Sequence, residues 1–179
     1  MKNVKKMTMI GVLTAIAIVL SYVESFIPSI GIPGFKLGLA NIVILLVIYE
    51  LGIKEAIFVD LVRVYIAALL RGKIFQIGFA MSLSGAVLSL LVMILVKLAF
   101  KKFSIIGVSI FGAIFHSAGQ IIVAAIFLYT ASAFYYLPIL ILISLGTGIL
   151  TGIIAKRIID SKVIERQKAT WNNKNEDQK

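Results

Sequence analysis

The sequence predicts an all-α integral membrane protein, a bundle of six transmembrane helices with both termini in the cytoplasm. Three observations carry this. Of 179 residues, 60% are hydrophobic and 15% charged, and mean hydropathy is +1.05. A soluble domain is about 45–50% apolar and about 25% charged, so this much apolar surface cannot be hidden in one water-soluble core. The apolar residues also form six continuous runs without strand-like alternation, which favours helices over a barrel. Finally, the net charge of +10 gathers at the ends of those runs, the pattern of cytoplasmic loops and not of a nucleic-acid surface.

The six runs cover residues 7–27, 37–49, 56–70, 77–96, 105–130 and 137–155. Crossing about 30 Å of hydrocarbon takes about 20 helical residues. The second and third runs are shorter, reaching roughly 20 Å at 1.5 Å per residue, so they sit in thinned bilayer or extend into their loops. With an N-in arrangement, Lys2, Lys5, Lys6, Lys54, Lys97, Lys101, Lys102 and seven bases from Lys156 onward lie inside. Only Lys36, Arg71 and Lys73 lie outside. This asymmetry selects N-in, C-in with an even number of spans, in the cell membrane. No small-x-small cleavage site follows the first run, so that run reads as a span and not as a signal peptide. Residues 1–158 form the membrane domain, and residues 159–179 read as a polar cytosolic tail.

Polar groups inside the bilayer cost at least about 2.5–3.5 kcal/mol each when charged, so each needs a reason. Asp60 and Arg63 stand at i, i+3 on the third span, one helix face. They form either a structural ion pair or a ligand charge reached from a cavity. His116 and Gln120 stand at i, i+4 on the fifth span beside Gly119. They form either an interhelical hydrogen-bonded pair or a polar lining with a protonation site. A lone His with no Cys makes no metal site.

Glu24 closes the first span on the outer side, Lys36 opens the second, and Asn41 lies deeper on it. Arg71, Lys73 and Gln76 occupy the next outer loop. An outer face with three bases suits either anionic headgroups or an anionic ligand such as a phosphate or carboxylate. The first outer loop, IPSIGIPGFKLG over residues 27–38, combines permissive glycines with stiff prolines. It suits a shaped cap over an outward cavity. It is not a P-loop, because no GK[ST] follows. Small residues recur at packing spacing: Gly11 and Ala15, Gly148 and Gly152, and Ser82, Gly85 and Ser89. They read as close helix contacts, or on the first span as a docking face for another membrane subunit. Tyr129, Tyr135 and Tyr136 fit an interfacial belt or an aromatic clamp.

The chain has no Walker A motif and no esterase or kinase signature. Its only adjacent acidic pair is Glu176-Asp177 in the tail. ATP hydrolysis, metal-dependent diphosphate chemistry and a catalytic role of its own are therefore not expected, and no cofactor is implied.

The runs IPGFKLGLANIVILL (32–46), DLVRVYIAALLRGKIF (60–75), SLSGAVLSLLVM (82–93) and HSAGQ (116–120) resemble the Gx transporter family. That family is also labelled heptaprenyl diphosphate synthase component I. The resemblance covers roughly residues 7–158. Where the family pattern has Asn, this chain has Ser117. The family is similar to S components of energy-coupling-factor transporters. The resemblance implies a six-helix, non-enzymatic membrane subunit of Gram-positive bacteria that binds a small molecule near its outer face. It also implies docking through the first helix, by way of Gly11 and Ala15, on a transmembrane coupling subunit with ATPases. The expected ligand-binding residues are Glu24, Lys36, Asn41, Arg71 and Gln120, with Asp60, Arg63 and His116 as polar support. The label also implies an alternative, a non-catalytic part in heptaprenyl diphosphate synthesis or a scaffold for a membrane redox system.

Overall fold

In a computed structural model, residues 2–26, 38–72, 74, 76–100 and 103–161 are described. They form six α-helices: α1 (Lys2–Glu24), α2 (Leu39–Glu50), α3 (Ile53–Leu70), α4 (Ile77–Ala99), α5 (Ile105–Phe127) and α6 (Leu137–Asp160). A 3-10 turn at Ala131–Tyr136 precedes α6. No strand occurs among the described residues. Four stretches are long and apolar enough to cross a bilayer: Val4–Glu24, Ile77–Ala99, Ile105–Phe127 and Ala131–Asp160. The chain is thus a helical, multi-pass membrane protein. The other two helices fall short of this for different reasons. The 12 residues of α2 rise about 18 Å, less than the hydrocarbon thickness. The 18 residues of α3 are long enough but carry Lys54, Glu55, Asp60 and Arg63.

Several helices overrun their expected ends. Helix α1 starts at Lys2, α4 runs on to Ala99, and α6 continues through Lys156 and Arg157 to Asp160. Lysine and arginine are good helix formers whose stems lie along apolar surface while the charge reaches water. A basic flank therefore prolongs a helix that hydropathy alone would stop. Two helices stop short of their expected ends: α1 at Glu24, with Ser25 and Phe26 in a turn, and α5 at Phe127, before Thr130. Ile27 and the tail beyond Ser161 lie outside the described residues.

Helix α2 is the centre of the bundle. Every residue from Ala40 to Ile48 is buried, and the helix touches α1, α3, α5 and α6. A helix apolar on all sides has no solvent or lipid face to prefer, so it goes inside. It anchors the main core, in which Ile44, Leu45 and Val47 meet Ala17, Val59, Leu90, Met93, Val108 and Ala155. At its far end Lys97 Nζ donates to the Ile48 carbonyl at 2.7 Å and stands 4.3 Å over the Tyr49 ring. A cation at a helix C-terminus satisfies an orphan acceptor and complements the helix dipole. At the same end Lys6 pairs with Glu55, joining α1 to α3.

Helices α4, α5 and α6 pack closely through small residues. A Cβ on Gly119 would lie 2.8 Å from the Ser84 carbonyl oxygen and 3.0 Å from Gly85 Cα. The Ser84 hydroxyl donates to the Gly119 carbonyl across this crossing at 2.9 Å. Gly148 and Gly152 meet the α5 backbone in the same way, at Ile110 and Ile106. Hydroxyl pairs tie α5 to α6: Ser117–Ser144 at 2.6 Å and Ser109–Thr151 at 2.9 Å. Small-residue crossings with polar ties are the usual adhesive where lipid removes the hydrophobic drive between helices. Gly11 differs. A Cβ there meets nothing within 4 Å, and both Gly11 and Ala15 are exposed.

This contrast predicts opposite outcomes for one substitution. Gly119→Ala forces carbon against backbone and should destabilise the protein by about 1–3 kcal/mol. Gly11→Ala should be neutral or stabilising by up to about 1 kcal/mol through helix propensity. Thermal unfolding of both variants in one detergent checks the pair.

Candidate functional site

The polar groups expected to face outward come from four helices that converge at the Arg71 end of the bundle. Helix α3 supplies the two guanidiniums. Asp60 and Arg63 share one face because they stand three apart. Arg63 Nε donates to Asp60 Oδ1 at 2.7 Å, and Nη2 stands 2.6 Å from the same oxygen. Arg63 also donates through Nη1 to Ser21 Oγ on α1 and through Nη2 to Asn41 Oδ1 on α2, each at 3.2 Å. Asp60 is 1% exposed and Arg63 6%. Three helices are thus joined by one guanidinium, whose planar fork suits several acceptors at once. The second carboxylate oxygen of Asp60 is buried with no hydrogen-bond partner among the described residues.

One and two turns further along α3 come Ala67 and Arg71. The Arg71 Nε donates to the Ala67 carbonyl at 2.8 Å. Its two terminal nitrogens make no hydrogen bond among the described residues. Partial burial pushes the Arg71 pKa down from its ordinary value, and the nearby Glu24 charge opposes that shift. Glu24 is the last residue of α1 and is 9% exposed. Its carboxylate accepts a hydrogen bond from the Gly38 backbone N–H. Gly38 is the N-cap of α2 with φ 72°, a left-handed conformation that glycine adopts without strain. Glycine has no side chain to cap the helix, so Glu24 brings its negative charge to the α2 N-terminus from another helix.

These groups surround a small cavity lined by Ser21, Glu24, Gly38, Asn41, Arg63 and Arg71, with Ser82 and His116 closing it from α4 and α5. Its volume is about 20 Å³, room for about one water. The His116 side chain is held from behind. Gln120 Nε2 lies 3.1 Å from His116 Nε2, within hydrogen-bond distance. Gln120 is 1% exposed, and its amide oxygen has no partner among the described residues. Gly85 lets both side chains approach α4. A Cβ there would fall 2.9 Å from Gln120 Cγ and 3.1 Å from His116 Nε2.

The cavity wall therefore brings together Glu24, Asn41, Arg63, Arg71 and His116. Two of the expected residues stand one step back: Gln120 reaches the wall through His116, and Asp60 through Arg63. His116, expected as inner support, lies in the wall itself. Lys36, Lys73 and most of the glycine-rich outer loop lie outside the described residues. Ser21 and Ser82 line the wall although the sequence marks neither as a site residue, whereas Gly38 belongs to the glycine-rich stretch expected to cap the cavity. A hydroxyl in an apolar run three residues before Glu24 was the available signal for Ser21. Ser82 was legible only as a packing residue.

Gly11 floors a second, shallow groove of about 360 Å³ between α1 and α3, lined also by Met7, Ile10, Lys54, Glu55 and Phe58. Ala15 follows it on the exposed face of α1. Tyr129, Tyr135 and Tyr136 are exposed, and none borders the cavity. Among the described residues no group of three or more His, Asp or Glu side chains could hold a metal ion.

Removing one member of the Asp60–Arg63 pair strands a buried charge. Arg63→Ala or Asp60→Ala should each destabilise the protein by about 3–5 kcal/mol, whereas Asp60→Leu with Arg63→Met should recover most of that loss. Thermal unfolding of the three variants tests the prediction.

No curated protein and no solved structure shows significant similarity to the chain. A family model does match, described as heptaprenyl diphosphate synthase component I, and it spans residues 13–158. That interval runs from within α1 to near the end of α6 and includes every residue of the cavity wall. The chain belongs to the heptaprenyl diphosphate synthase component I family.

Proposed function

We propose that this chain is the solute-capturing membrane subunit of a transporter of the energy-coupling-factor type. In this reading all six helices sit in the membrane as spans with both termini cytoplasmic, and the Arg71 end faces outward. The lysine-bearing end, with Lys6, Lys54, Lys97 and Lys156, faces the cytoplasm, in keeping with the positive-inside rule. A small anionic or aromatic solute is captured at the outer cavity, contacted by Glu24, Asn41 and Arg71 and supported by Asp60, Arg63, His116 and Gln120. The chain carries no nucleotide-binding motif, so energy comes from partner ATPases through a transmembrane coupling subunit. That subunit docks on the exposed face of α1 at Gly11 and Ala15.

The observation that carries this reading is the convergence of two guanidiniums, a carboxylate, an amide and an imidazole on one cavity near a helix end. Such groups are costly in a bilayer and concentrate on ligand and ion pathways. The terminal nitrogens of Arg71 are available for an anionic group, and a guanidinium binds carboxylate or phosphate in a bidentate manner. Gly11 supports the docking assignment, since nothing inside the chain requires a glycine there.

A second reading is favoured by the family description: a non-catalytic membrane component of heptaprenyl diphosphate synthesis. The two predict different company. Mild purification of the full chain from its native membrane, followed by mass spectrometry, should yield membrane partners with ATPases and a retained small molecule. Arg71→Ala should reduce the retained solute at least about tenfold, as expected for a charge-assisted contact. Co-purification with a soluble prenyl synthase, and no retained solute, would replace the transport reading with the synthase one.

A further inference from the structure

The cavity has a difficulty as a ligand site: it is almost full. About 20 Å³ holds one water and no organic anion, so any solute that enters must displace part of the wall. The wall groups differ greatly in how firmly they are held. Arg63 is fixed by contacts to Asp60, Ser21 and Asn41. His116 is fixed by Gln120 and by the close approach of α4 at Gly85. Among the described residues Glu24 has one hydrogen bond, from the Gly38 N–H. It is the last residue of α1, and its neighbours Val23, Ser25 and Phe26 are exposed. Rotation about its flexible side-chain bonds carries the carboxylate from the cavity toward the outer surface.

Charge points to the same group. Among the described residues, the site holds two guanidiniums, Arg63 and Arg71, and two carboxylates, Asp60 and Glu24. Asp60 is committed to Arg63. Glu24 faces the positive end of α2 at Gly38 and is the charge that acts on Arg71. Counting these four described groups alone, the charges cancel with Glu24 in place, and its withdrawal leaves one uncompensated positive charge. In a low-dielectric wall that charge strongly favours an anion over a neutral or cationic molecule.

We propose that the Glu24 carboxylate is an internal occupant of the anion cradle formed by the Gly38 N–H, Asn41 and Arg71, displaced when a solute carboxylate or phosphate enters. This rests on the transport reading for its biological purpose, but its physical content is separate: one anion exchanges for another with no net change of charge. It also reverses the sign expected of Glu24. A residue that merely contacts the solute weakens binding when neutralised. An internal competitor strengthens it.

The chain has no cysteine, so a single introduced thiol is a clean reporter. Ser82→Cys on α4, with Ser21→Cys on α1 as a second reporter, places a thiol in the wall of the full chain in lipid nanodiscs. The probes are sulfonatoethyl methanethiosulfonate, an anion, and its trimethylammonium analogue, a cation. Adding Glu24→Gln should speed labelling by the anion about tenfold, the scale of one partly screened unit charge, with no gain for the cation. Adding Arg71→Ala should abolish the anion's advantage. An unchanged or slower anion rate in Glu24→Gln overturns the proposal. So does an equal acceleration of both probes, which would mean simple loosening. If the anion accelerates while neither solute nor ATPases co-purify, the internal occupant stands and the transport reading falls. If a retained solute binds more weakly in Glu24→Gln, the transport reading stands and this proposal falls.

Discussion

A buried positive charge is the constraint around which the Arg71 end of the molecule is organised. The Arg63 guanidinium is almost wholly removed from solvent, at a desolvation cost of several kcal/mol for an isolated ion. That cost is offset only if acceptors are delivered to it with good geometry. Asp60 comes from the same helix, one turn earlier, and Ser21 and Asn41 come from α1 and α2. Three helices are thereby obliged to keep their relative depth and rotation. A purely apolar interface of the same size would tolerate sliding, because lipid and side chain are equally apolar and no register is favoured. The ion pair gives the Arg71 end of the bundle a defined geometry, and the cavity is the residual space beside it.

The rest of the bundle is fixed by two further devices. Helix α2 is apolar on every side and becomes the axis against which the others pack. Helices α4 to α6 gain their contacts through glycines and hydroxyls, so that backbone meets backbone. The second device reaches His116 and Gln120, whose side chains lie against Gly85. The close crossing of α4 and α5 therefore also sets where the imidazole sits in the cavity wall. A structural feature of the apolar half places a polar group in the other half.

The two ends of the molecule carry opposite kinds of chemistry. At the lysine-bearing end, charged groups answer helix termini and each other: Lys97 caps α2, and Lys6 pairs with Glu55. At the Arg71 end the charges converge on a space. The terminal nitrogens of Arg71, the second oxygen of Asp60 and the amide oxygen of Gln120 are all without a hydrogen-bond partner among the described residues. Asp60 and Gln120 are each 1% exposed, and buried polar atoms without a hydrogen-bond partner are rare in native proteins.

Much of this was legible in the residues themselves. Six apolar runs appear as six helices, because hydropathy and helix propensity act locally and need no knowledge of the fold. The Asp60–Arg63 pair and the His116–Gln120 pair follow from spacing along one helix. What spacing could not reveal is which helix meets which. That Glu24 would cap α2 at Gly38, that Asn41 and Ser21 would accept from Arg63, and that α4 would press on His116 and Gln120 at Gly85 are relations between segments distant in the chain. The same holds for the glycines: Gly11 and Gly119 look alike in sequence, yet only Gly119 has a backbone pressed against it. Composition and periodicity determined a helical membrane protein with a few costly polar groups. Only tertiary packing decided that these groups share one cavity, because their mutual distances depend on helix rotation and depth, which no local pattern encodes.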